Sequence, residues 1–138
     1  MWKYSFYFLA SVAIALLLGG CAGTGEVKGR LGEEFSLRID QSVVITGEDL
    51  EIRFVEVSED SRCPKGVTCV WEGRVSTVVE ISADGSSQQL KLIQPGLTEK
   101  PSRETHKEYQ LTFKVEPYPE EGKEIAADEY QLVLIVKR

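Results

Sequence analysis

Apolar and polar residues alternate with a period of two through most of this chain. Turn-forming residues separate the alternating runs, and no window sustains a helical period. Together these features predict an all-β fold, an immunoglobulin-like β-sandwich of about seven short strands. A small closed β-barrel is the alternative. The chain has 138 residues, enough for a single hydrophobic core.

The first alternating run sets Phe35, Leu37 and Ile39 against Ser36, Arg38 and Asp40. Val43 and Ile45 resume after Gln41-Ser42. Leu50, Ile52 and Phe54 then alternate with Glu51 and Arg53, and the phase slips by one to Val55 and Val57, as a bulge would produce. Trp71, Val75, Thr77, Val79 and Ile81 share one parity, with Glu72, Arg74, Ser76 and Glu80 on the other. Asp84-Gly85 marks a hairpin turn before Leu90 and Leu92. Residues 94–107, with Pro95, Gly96 and Pro101, read as the longest loop.

Tyr109, Leu111, Phe113 and Val115 give the clearest alternation, and Pro117 and Pro119 end it because proline lacks the ladder donor. Residues 124–128 have room for one helical turn. Residues 130–136 are apolar on both faces around Val133 and Ile135, the pattern of a central strand. Tyr130, at its start, is placed either to bond nearby backbone as a tyrosine corner does or simply to pack.

Charge narrows the function classes. The chain carries 16 basic and 22 acidic residues, a formal net of −6. An acidic, interspersed surface argues against nucleic-acid binding and against docking on anionic head groups.

The N-terminal segment supplies an address. Lys3 precedes an apolar run over residues 6–18, the composition and length of a secretory signal. Leu18-Gly19-Gly20-Cys21 closes that run and resembles the lipobox of bacterial lipoproteins. The resemblance implies that residues 1–20 are a signal peptide, that Cys21 carries lipid, and that the mature protein works outside the cytoplasm, held to a bacterial membrane. An ordinary cleaved signal and an uncleaved span are the alternatives. The span is weakened by the glycines around Cys21. One acyl chain anchors marginally, whereas two or three hold firmly. Residues 21–34, rich in Gly and small or charged residues, read as the lipidated cysteine and a flexible tether, and residues 35–138 as the β-sandwich domain.

Three cysteines leave one over. With Cys21 acylated, Cys63 and Cys69 remain, and an exported domain with an even pair close in sequence is expected to form a disulfide. The surrounding stretch, Asp60-Ser61-Arg62-Cys63-Pro64-Lys65-Gly66-Val67-Thr68-Cys69-Val70-Trp71-Glu72-Gly73, is the distinctive motif of the domain. It resembles a D-S-R-C-P pattern, with a second Cys after five residues and then W-x-G, found in small uncharacterised bacterial exported proteins and lipoproteins. That family implies no particular activity.

The bond would act as a structural staple with Trp71 packed beneath it. A sharper expectation makes Arg62, Pro64 and Lys65 a rigid recognition loop, cheap to order on binding.

Catalytic constellations are sparse. His106, the single histidine, has no nucleophile and orienting group arranged around it. Nucleophile elbows, phosphate loops and zincin pairs do not occur. The cysteine pair and one distant His offer too few zinc ligands. Glu59-Asp60 and Glu120-Glu121 lack the spacing of a calcium loop. The sequence therefore leads to a non-enzymatic, lipid-anchored binding or structural module of the cell envelope, without cofactor or metal, partnered by the membrane and by an unknown envelope protein or small ligand. An inhibitor or regulator of an envelope protease, acting through the Cys63–Cys69 loop, is the competing expectation.

Overall fold

The computed structural model describes residues 25–138, so Cys21 and the apolar leader lie outside the described residues. The domain is a β-sandwich and not a closed barrel. Among the described residues nine strands run in the order β1 (Glu26–Gly29), β2 (Glu34–Arg38), β3 (Ser42–Ile45), β4 (Leu50–Asp60), β5 (Arg74–Ala83), β6 (Ser86–Pro95), β7 (Ser102–His106), β8 (Tyr109–Glu116) and β9 (Gln131–Lys137). One sheet has the order β1-β3-β4-β5-β6 and the other β2-β9-β8-β7.

The alternation read from sequence becomes the core. Val43, Ile45, Leu50, Ile52 and Phe54 of the first sheet are buried in one cluster with Phe35, Leu37, Leu111, Phe113, Leu132 and Leu134 of the second. The phase slip after Phe54 is a register shift of β4 against β5, between Phe54 and Glu56, with a second between Val57 and Glu59. The Asp84-Gly85 turn closes the β5–β6 hairpin with both residues at positive φ, as a two-residue turn of that hand requires. β9 lies between β2 and β8 and buries Leu132, Val133 and Leu134 in succession, which confirms a central strand. The helical turn expected at 124–128 is a 3₁₀ turn at Ala127–Glu129.

Two expectations are corrected. The tether set at 21–34 is not free along its whole length: β1 pairs in parallel with β3, Glu26 opposite Ser42 and Gly29 opposite Ile45, so the sandwich begins before residue 35. The loop set at 94–107 is interrupted by β7, which pairs along β8 from Ser102–Phe113 to His106–Tyr109. Both are edge strands, satisfied by backbone pairing on one side, and they need little apolar side chain to form.

Candidate functional site

Three connections meet at one end of the sandwich: residues 61–73 between β4 and β5, 96–101 between β6 and β7, and 117–130 between β8 and β9. The first is closed by the cysteines. The Cys63 and Cys69 sulfurs stand at bonding distance with their Cα atoms 6.0 Å apart, inside the range a disulfide spans.

The node beneath this loop is Arg62. Sequence reasoning expects it exposed, available to a partner. Instead it is only 3% accessible. Its Nε donates to Asp60 Oδ1 at 2.8 Å and its Nη2 to Asp60 Oδ2 at 2.6 Å, a bidentate pair. Nη1 donates to the Val115 carbonyl at 2.9 Å and Nη2 to the Pro117 carbonyl at 3.0 Å. The guanidinium carbon also lies 5.3 Å from the centre of the Tyr118 ring. The pair survives burial because the carbonyls take up the guanidinium protons that water would otherwise hold. Arg62 thus ties the end of β4 to the end of β8, across the two sheets.

Two tyrosines complete the node. The Tyr130 hydroxyl donates to Asp60 Oδ2 at 3.0 Å. Burial, with the Asp60 carboxylate beside it, pushes that hydroxyl up to about 12. Tyr130 therefore reaches a carboxylate rather than the neighbouring backbone of a tyrosine corner. The Tyr118 hydroxyl lies 2.9 Å from the Cys63 carbonyl and 2.5 Å from the Gly96 carbonyl. Its single proton can be donated to only one at a time. Gln94, also buried, accepts from the Val115 N–H at 2.8 Å and donates to the Lys100 carbonyl at 3.3 Å.

Trp71 also departs from its expected place. The expected core indole is 68% exposed. β5 starts only at Arg74, because Gly73 turns the chain at φ +66° against β4. A Cβ on Gly73 would stand 1.8 Å from the Ser61 carbonyl oxygen, so the turn admits only glycine. The turn breaks the period-two phase, and Trp71 does not inherit the buried side of Val75 and Val79.

Pro64 and Lys65 remain on the surface, as a recognition loop requires. The Lys65 backbone is held to the β8–β9 connection: its N–H donates to the Pro119 carbonyl and its carbonyl accepts from Glu121. Lys65 Nζ pairs with Glu99 at 2.7 Å, and that hydrogen bond holds the ammonium above the ordinary lysine range. A cleft of about 610 Å³ opens here, lined among others by Arg38, Lys65, Glu99, Lys114, Tyr118 and Gln131. Lys114 Nζ lies 2.5 Å from Glu116 within it. The cleft thus holds charges of both signs: Lys65–Glu99 and Lys114–Glu116 are paired, and Arg38 and Asp128 line it without a salt bridge among the described residues.

His106 ends β7 and sits 2.7 Å from the Gln88 side-chain amide, away from this cleft. Among the described residues no three His, Cys, Asp or Glu side chains gather as a metal site. Sequence reasoning missed Asp60, Gln94 and Tyr118. The i, i+2 spacing of Asp60 and Arg62 was the available signal, since residues two apart in extended chain share a face. No family model matches the chain, and no curated protein or solved structure matches it.

Proposed function

We propose that this protein is a lipid-anchored, extracytoplasmic binding module of a bacterial envelope, and that it binds its partner at the cleft beside the disulfide loop. The observation that carries this reading is the contrast at that end. A hydrogen-bonded node of buried Arg62 with half-buried Asp60 and Tyr130 holds a surface of exposed side chains. A surface ordered before binding loses little entropy when occupied. The paired charges of Lys65–Glu99 and Lys114–Glu116 suit a polar or peptide ligand with charges of both signs. The anchor rests on the Leu18-Gly19-Gly20-Cys21 sequence. Protease regulation through basic loop residues is left with Lys65 alone, since Arg62 is buried.

Two measurements test the reading. The N-terminal peptide of the mature protein should begin at Cys21 and carry the mass of a diacylglyceryl group; a free Cys21 thiol overturns the anchor. A photo-crosslinking residue at position 99, in the native envelope, should give one defined adduct that Lys65→Glu abolishes. No adduct at position 99, or one indifferent to Lys65→Glu, overturns the cleft.

A further inference from the structure

The loop end also has an apolar tip. Among the described residues five large hydrophobic side chains are exposed: Val67, Val70, Trp71, Ile93 and Leu97. Val67, Val70 and Trp71 belong to the disulfide loop and Leu97 to the β6–β7 connection, so four of the five sit at one end. Val70 is 91% exposed and Leu97 65%. The opposite end, where the β3–β4 turn meets the C-terminus, carries charge instead, with Arg138 paired to Glu48 and Glu108.

The chain arrives at the apolar end. β1 runs parallel to β3 from Glu26 opposite Ser42, and Ser42 lies opposite Arg53 of β4. β4 continues from Arg53 to Asp60, where the disulfide loop begins. Gly25, the first described residue, therefore lies on the side of β1 that faces the loop end. Gly25 lies against the side chain of Gln41, in the β2–β3 turn at that same end. Cys21 is four residues before Gly25, and extended chain spans at most about 3.6 Å per residue, a leash on the order of 14 Å.

We infer that the tip formed by Val70, Trp71 and Leu97 docks on the surface of the bilayer leaflet that holds the Cys21 lipid. This rests on the anchor reading above. The short leash brings this end, rather than the charged one, against the lipid. The indole suits the site, having an apolar body and one N–H donor, the combination that concentrates tryptophan at membrane interfaces. The disulfide and the Gly73 turn hold the tip in shape, so little ordering is lost on contact.

Charge selects the kind of surface. Glu72 adjoins Trp71, Lys65 is already paired with Glu99, and among the described residues Lys100 is the single exposed cation without a salt bridge on the Leu97 connection, so the tip has no basic cluster for anionic head groups. The contact is with zwitterionic lipid, and it is insensitive to salt.

The test uses the full chain, expressed, matured and reconstituted in phosphatidylcholine vesicles. The sequence has two tryptophans, Trp2 and Trp71. Trp2→Phe makes Trp71 the sole indole whether or not the leader is removed. Its emission should be quenched by phosphatidylcholine brominated in the acyl chains, equally at low and high salt. Val70→Asp should relieve the quenching without changing the melting temperature, because Val70 contributes almost nothing to the core. Trp71 emission unaffected by brominated lipid, in protein whose N-terminal peptide carries the lipid mass, overturns the inference alone. A free Cys21 thiol overturns the anchor reading and the inference with it.

Discussion

Arg62 places a permanent charge where water does not reach. Removing one partner of a buried ion pair leaves the other charge uncompensated, typically at about 3–5 kcal/mol. Arg62→Ala is expected in that range, since it strands Asp60 and frees the Val115 and Pro117 carbonyls. Arg62→Lys should recover only part of the loss, because an ammonium cannot reproduce the bidentate fork. Trp71→Ala is expected within about 0.5 kcal/mol of the parent, as for most surface positions. Denaturant midpoints measured side by side decide the ordering. The sequence led to the opposite assignment, a core Trp71 and a displayed Arg62. An indole in phase with Val75 and Val79 looks buried, and an arginine in a polar loop looks solvated. What reverses both is long-range: the carbonyls that receive Arg62 lie 53 and 55 residues away, and no local pattern announces them.

At the scale of elements, strands with an apolar face were legible and strands without one were not. β8 could be read residue by residue because its alternation is a record of burial, and β9 because an unbroken apolar run marks a strand covered on both faces. β7, Ser102–His106, has no apolar side chain and exists through its ladder with β8. The disulfide loop was legible as a closed unit, and its attachment was not. That attachment makes a prediction. Gly73→Ala would put a Cβ 1.8 Å from the Ser61 carbonyl, a clash with backbone that no rotamer relieves. Its cost should exceed the roughly 1–2 kcal/mol of a left-handed conformation alone. Replacing both Cys63 and Cys69 by Ser should cost about 2 kcal/mol by the loop-closure model. The Ser61 hydroxyl and the N–H and C=O of Arg74 still join β4 to β5 without the bond. Thermal unfolding with and without reductant checks the disulfide figure, and a Gly73→Ala protein more stable than the cysteine-free one would contradict the packing described.

At the scale of the molecule, the two sheets are fastened at both ends by the same device. Tyr109 of β8 donates to Glu48 in the β3–β4 turn at 2.9 Å, and Tyr130 before β9 donates to Asp60 of β4 at 3.0 Å. Each bond joins one sheet to the other, and each hydroxyl must stay protonated to donate. Burial, reinforced by the facing carboxylate, pushes both phenols from 10.0 to about 12. The sign follows from linkage: the folded state holds these protons more tightly than the unfolded chain, so the stabilisation is complete below pH 10 and lost as pH rises toward 12. The melting temperature should therefore fall steeply between those limits. In a Tyr109→Phe, Tyr130→Phe double variant the neutral-pH melting temperature should be lower, because Glu48 and Asp60 lose a donor, and its decline across the alkaline window should be shallower. Tyrosinate absorbance gives an independent readout, since both phenols should ionise together with unfolding rather than before it. If the double variant declines as steeply as the parent, the alkaline sensitivity lies elsewhere and the two tyrosines do not fasten the sheets.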